Sequence, residues 1–214
     1  SRQASSLGAE GGRCLVIAAA GLGILLSLVT ASTSHPAANR DELRTLSATP
    51  MDTAEGRQVA PRFFVECHWP AGISTIAGVP NLAGQRAPYL YSEMRAFLSG
   101  ARGNDTMNGA ITYLTPDAMS NVAAYYGNLD PAPPASSGNA IAEVDAVQAG
   151  KAAAAACAGC HGENGVSRMP GIPSLVGQEP NYLVTAMAEY KVGERKNDTM
   201  KAMVTDRKGG VEGK

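Results

Sequence analysis

Chemistry concentrates at Cys157-Ala158-Gly159-Cys160-His161. Two thiols three residues apart, followed at once by an imidazole, form the attachment signature of a c-type haem. On one turn of backbone the thiols face the same way and can add to the two vinyl groups of one porphyrin. The histidine then lies under the ring and binds the iron from the proximal side. A sixth ligand must come from elsewhere, and methionine is the usual partner in electron carriers. Paired cysteines also serve as zinc half-sites or thioredoxin-like redox pairs. Zinc requires two more Cys or His ligands nearby, and none lies within about the next fifty residues.

A second, altered copy lies upstream. At an offset of 93 residues (160 − 67), Cys160-His161 falls on Cys67-His68. The register then holds without a gap. Gly165 matches Gly72, Pro173 matches Pro80, and Leu175 matches Leu82. Gly177-Gln178 matches Gly84-Gln85, and Tyr182-Leu183 matches Tyr89-Leu90. Met187 matches Met94, Gly193 matches Gly100, Arg195 matches Arg102, and Asn197-Asp198-Thr199-Met200 matches Asn104-Asp105-Thr106-Met107. A period this long is a duplicated small domain. One position breaks it: Cys157 falls on Phe64, so the first copy reads Phe64-Val65-Glu66-Cys67-His68 with a single cysteine.

Tandem haem motifs, each followed by Pro-x-Leu-x-Gly-Gln, Tyr-Leu and Asn-Asp-x-Met, resemble the dihaem cytochrome c4 family. The resemblance covers about residues 51–205. It implies an all-α fold of two class I cytochrome c domains, two haem c groups, and a carrier delivering electrons to terminal oxidases. The chain departs from that family at Phe64, in a hydrophobic N-terminal segment, and in the expected lack of a C-terminal helix in the second domain.

The axial ligands follow from the repeat. His68 and His161 are the proximal candidates. Met107 lies 39 residues after His68 (107 − 68), and Met200 lies 39 after His161 (200 − 161). Met203 is a rival, but its counterpart is Ala110. Met94 and Met187 also match, yet their helical spacing points to core packing. A thioether ligand stabilises ferrous iron and raises the potential. The remaining histidine, His35, lies in a linker and receives no role. With both irons closed by ligands, a dihaem peroxidase or a thiosulfate-oxidising catalyst is disfavoured, and the chain reads as no enzyme.

Phe64 admits two readings. The first domain keeps its haem through a single thioether at Cys67, similar to the one-cysteine motif of some protist mitochondrial cytochromes. Alternatively it has lost haem and serves as a structural or docking module, leaving only the second domain redox-active. Retention of His68 and Met107 favours the first.

Composition sets the compartment. The net charge of −1 disfavours nucleic acid, which needs concentrated positive charge. Three of four cysteines belong to the haem motifs, which leaves Cys14 and no disulfide framework. Covalent haem attachment places the domains outside the reducing cytosol, in the bacterial periplasm or mitochondrial intermembrane space. Residues 14–31 are apolar apart from Ser27 and Thr30. Eighteen helical residues span about 27 Å, close to the ~30 Å hydrocarbon core. A cleaved signal peptide is the competing reading. The segment belongs to the chain, which starts at Ser1 rather than Met, and a transmembrane helix is expected.

The expected organisation is a tail over 1–13, the transmembrane helix over 14–31, a linker over 32–50, a first cytochrome domain over 51–129, a Pro- and Ser-rich linker over 130–142, a second domain over 143–208 and a tail over 209–214. In the first domain Asp52 or Thr53 is expected to cap a short helix that Pro61 ends or kinks. A helix is expected over 87–99, a polar loop over 104–108, and a last helix from Pro116 to Tyr126. The second domain opens with an alanine-rich helix running into Cys157. The whole predicts a membrane-anchored dihaem carrier, a subunit or partner of a larger respiratory or photosynthetic membrane complex. Its redox partners would be proteins such as a quinol-oxidising complex and a terminal oxidase.

Overall fold

The computed structural model describes residues 40–133 and 140–205, which belong to one compact unit of the chain. Among the described residues the fold is helical, and strand pairing is confined to one isolated antiparallel bridge, Arg102 with Arg195. The segment 14–31, Cys14, His35 and the tail 209–214 lie outside the described residues. Among the described residues no helix is long and apolar enough to cross a membrane.

Helix α1 (Arg40–Leu46) stands inside the stretch expected to be linker. Its short sequence carries little intrinsic helical signal, and tertiary bonds hold it. The Arg44 guanidinium donates to Asp52 at 2.6 Å, to Asn121 at 3.3 Å and to Asp117. Helix α2 (Pro50–Phe63) starts one turn earlier than expected, because Thr49 and not Asp52 or Thr53 is its cap. Thr49 Oγ1 accepts from Asp52 N at 3.2 Å and Asp52 Oδ2 accepts from Thr49 N at 2.7 Å, a reciprocal capping box. Pro61 neither ends nor shortens α2. Only two residues follow it in the helix, its own side is exposed, and Phe64 N still donates to Ala60 O at 3.0 Å.

Helix α3 (Val65–His68) carries the first haem motif. After an irregular loop come α4 (Ala87–Leu98), α5 (Asp105–Ile111) and α6 (Pro116–Gly127). The expected polar loop at 104–108 is instead the start of α5. Asn104 caps it by accepting from Met107 N at 2.9 Å, and the fully buried Ile111 anchors its other end. Helix α6 opens at Pro116 under a Thr115 cap, as the sequence indicates.

Helices α2 and α6 cross at Gly56. A Cβ there would lie 1.9 Å from Asn121 O, so only glycine permits this approach. Around the crossing Ala60, Phe64, Leu90, Met94, Phe97, Ile111, Met119, Val122 and Tyr126 form the apolar core of the first repeat. Met94 is thus a core residue, as its spacing predicts.

The second repeat contains α7 (Ala140–Ala154), a 3-10 turn (Ala155–Cys157), α8 (Ala158–His161), α9 (Pro180–Val192) and α10 (Asp198–Thr205). Helix α7 begins three residues before the expected boundary at 143. Among the described residues, the buried apolar side chains of the second repeat are Ala186 and Tyr190, both on α9. The counterpart of α6 falls after residue 205, outside the described residues.

The two repeats face each other about the Arg102–Arg195 bridge. Glu93 accepts from Arg102 at 2.6 Å and from Arg195 at 2.7 Å. Arg195 also donates to Tyr89 Oη at 2.5 Å, and both arginines donate to Tyr182 Oη at 3.2 Å.

Candidate haem sites

His68 and His161 occupy equivalent places. Each ends a single helical turn, and each is buried, at 4% and 7% exposure. His68 Nδ1 bonds to the Pro80 carbonyl at 2.9 Å, and His161 Nδ1 to the Pro173 carbonyl at 2.8 Å. A carbonyl only accepts, so Nδ1 carries the proton in both rings and the Nε2 lone pair is left for a metal. Burial pushes the His68 imidazolium pKa below its ordinary value, while the Pro80 bond pulls it the other way. The ring is therefore biased toward the neutral, ligating form.

Cys67 is half-buried one residue before His68. In the second repeat Cys157 is half-buried and Cys160 exposed. Phe64, at the place of Cys157, turns into the core at 3% exposure. Its ring meets Tyr126 edge-on with centroids 6.3 Å apart and lies 6.3 Å from the His68 ring.

Met107 and Met200 are the third residues of α5 and α10 and have the same local anchor. Met107 N donates to Asn104 Oδ1 and Met200 N to Asn197 Oδ1, each at 2.9 Å. Both side chains are half-buried, whereas Met203 is 37% exposed.

In the first repeat these groups converge. A cavity of about 330 Å³ is lined by Cys67, His68 and Met107 together with apolar Val79, Pro80, Leu82, Leu90 and Phe97. An imidazole with a free Nε2, a thioether and a thiol around an apolar slot form the donor set that haem c requires. Among the described residues, no group of three or more His, Cys, Asp or Glu could hold a bare metal ion. The cavity wall also includes residues from the other repeat: Gln178, Tyr182, Thr185 and Glu189.

Sequence reasoning registered several of these neighbours without giving them work. Gln85, Gln178, Arg102 and Arg195 recur at the 93-residue offset, and that recurrence was the available signal. Glu93 and Glu189 had none, because alanine stands at both equivalent positions, Ala186 and Ala96.

No family model matches the chain. The chain is 32% identical over 148 residues to the thiosulfate dehydrogenase electron acceptor of Thiomonas intermedia, covering 66% of this chain and 68% of that protein. It is 32% identical over 136 residues to cytochrome c4 of Pseudomonas aeruginosa, covering 62% and 68%. Reduced recombinant cytochrome c4 from Pseudomonas stutzeri shares the fold, with a TM-score of 0.63 at 24% identity over 72% of this chain and 90% of that one. A duplicated frame for two haem groups, carried by a sequence this close to those relatives, makes the chain a member of the cytochrome c4 family of dihaem c-type cytochromes, which are electron-transfer proteins rather than enzymes.

Proposed function

We propose that this protein is a membrane-anchored dihaem carrier whose first haem is held by Cys67, His68 and Met107 and whose second is held by Cys157, Cys160, His161 and Met200. The observation that carries this reading is the repeated bond from Nδ1 to a proline carbonyl twelve residues on, at 2.9 and 2.8 Å. It presents two neutral imidazoles in one orientation. Haem c supplies one-electron exchange at its iron. The protein's part is to fix the imidazole by the Pro80 or Pro173 carbonyl and to fix the thioether helix by the Asn104 or Asn197 cap. In the first repeat it also lines the slot with apolar side chains that exclude water and raise the potential.

The first haem is bonded through one thioether, at Cys67. The cavity holding both His68 and Met107 supports a haem-loaded first repeat over a docking module without haem. The apolar segment 14–31 supports an anchor, with the haem domains in the periplasm or intermembrane space. A relative named as the electron acceptor of thiosulfate dehydrogenase and another named cytochrome c4 support exchange with protein redox partners. In this reading the carrier passes electrons within a respiratory complex toward a terminal oxidase.

Counting iron and covalent haem per purified chain tests the reading. Two haems that both survive acid denaturation, one of them with an unsaturated vinyl and a red-shifted reduced band, are expected. One haem per chain overturns it. Extraction of one haem by acid would show that Cys67 is not bonded to it. Retention in membranes through carbonate washes is expected of the intact chain, and release by carbonate removes the anchor from the proposal.

A further inference from the structure

The Gly-Gln pair that closes each Pro-x-Leu-x-Gly-Gln motif reaches across to the other repeat. Gln178 Oε1 accepts from Asn81 N at 2.6 Å, and its Nε2 donates to Asn81 O at 3.0 Å. Gln85 does the same in reverse. Its Oε1 accepts from Ser174 N at 2.8 Å, and its Nε2 donates to Ser174 O at 2.9 Å. Asn81 follows Pro80, and Ser174 follows Pro173. One peptide group therefore does both jobs in each repeat. Its carbonyl takes the histidine Nδ1–H, and its N–H is held by a glutamine of the other repeat.

Each amide is itself fixed. Gln85 Oε1 also accepts from Arg86 N, and Gln178 Oε1 from Glu179 N, both at 2.9 Å. Gln85 is 6% exposed. The preceding glycines let the chain leading out of the first repeat lie close over both motifs. A Cβ on Gly177 would lie 2.1 Å from Ala132 O, and one on Gly84 would lie 2.8 Å from Pro131.

We infer that Gln85 and Gln178 are positioning residues that tune each haem from the opposite repeat. An acceptor on the N–H of a peptide polarises its carbonyl, and hydrogen bonds in series strengthen one another inside a protein. A more basic Pro80 carbonyl draws the His68 Nδ1 proton and gives the ring more imidazolate character. A stronger imidazole donor stabilises ferric iron and lowers the potential. The effect is crossed: Gln178 acts on the first site through Pro80-Asn81, and Gln85 acts on the second through Pro173-Ser174. An interface residue that only glued the repeats together would have no reason to select, in both directions, the one peptide that holds a proximal histidine.

The inference rests on His68 and His161 being the proximal ligands, and the test separates the two claims. The full haem-loaded chain is titrated spectroelectrochemically as parent, Gln178→Leu, Gln85→Leu and Gln178→Glu. The two haems are told apart by their NMR-resolved axial methionine signals, assigned with Met107→Ala and Met200→Ala. Gln178→Leu should raise the potential of the first haem by about a threefold shift in its oxidation equilibrium, the worth of part of one hydrogen bond. The second haem should stay in place. Gln85→Leu should do the reverse. Gln178→Glu keeps a stronger acceptor on Asn81 N, and should lower the first potential more than the second. It also carries the test if the leucine variant fails to load haem. Equal shifts at both haems, a shift in the same repeat as the substitution, or no shift overturns the inference. A parent without methionine-to-iron absorption overturns the ligand reading instead.

Discussion

The two repeats place their chemistry alike, and their described parts are packed unequally. His68 and His161 bond to proline carbonyls within 0.1 Å of each other (2.9 against 2.8 Å), and the Met107 and Met200 amides meet their asparagine caps at the same 2.9 Å. The described parts of the two cores differ. The first repeat closes α2 against α6 at Gly56 and buries a continuous apolar cluster that includes Phe64. Among the described residues, which stop short of the counterpart of α6, the second buries Ala186 and Tyr190, and no described atom lies within 4 Å of a Cβ built on Gly150 of α7. A ligand frame can thus be repeated through local bonds between near neighbours. Phe64 stands where the second repeat has Cys157, and it takes a place in the core against Tyr126.

The largest contrast to break is that of the methionines. Met107→Ala and Met200→Ala should each abolish the methionine-to-iron charge-transfer band at one haem and lower its potential, while the covalent haem stays attached. Met203→Ala should leave the spectrum in place. Loss of the band in Met203→Ala, but not in Met200→Ala, would make Met203 the ligand of the second repeat.

The next effect is on packing. Gly56→Leu forces side-chain atoms into the Asn121 backbone and should destabilise the first repeat by about 3 kcal/mol or more in denaturant unfolding. Gly150→Ala in α7 meets none of the described residues and should stabilise by about 0.5–1 kcal/mol through helix propensity. Similar costs at both glycines would show that the second helix is packed as tightly as the first.

Phe64→Cys would turn the first motif into the second. It should remove the Tyr126 contact and cost roughly 3 kcal/mol, as large-to-small core changes do. The same variant should gain a second thioether and move the reduced band of the first haem to the blue. A stable variant with an unmoved band would mean that position 64 does not face a vinyl group.

The smallest effect concerns the capping box, present at Thr49 in the first repeat. Thr49→Ala should cost about 1 kcal/mol. Hydrogen bonds from the Thr49 side chain and backbone, then Arg44, hold Asp52 at about 2, below its ordinary 3.8. Because the folded pKa is depressed, this contribution is complete above pH 3.8 and is lost as pH falls through about 2. The gap between parent and Thr49→Ala should therefore narrow toward the acid end, leaving the share of the Thr49 Oγ1 bond from Asp52 N, which does not titrate. A gap that does not narrow would assign the whole effect to that bond and to helix packing, not to the carboxylate.

What the sequence determined by itself is the chemistry and its duplication. The Cys-x-x-Cys-His motif, the 93-residue register and the equal histidine-to-methionine spacing are legible because these groups work at short range and must recur wherever the work recurs. Helices α4 and α6 were legible for a similar reason, since apolar spacing and an N-terminal proline are local signals. Helix α1 was not, because Arg44 finds Asp117 and Asn121 more than seventy residues away. Helix α5 read as a polar loop until Ile111 was seen to be buried in the core. The pairing of Gln178 with Asn81, and of Gln85 with Ser174, spans 97 and 89 residues. The sharing of Glu93 between Arg102 and Arg195 has no repeat to announce it. Only the tertiary structure decided these contacts, because a hydrogen bond between distant residues depends on where the chain returns, and no local pattern encodes that return.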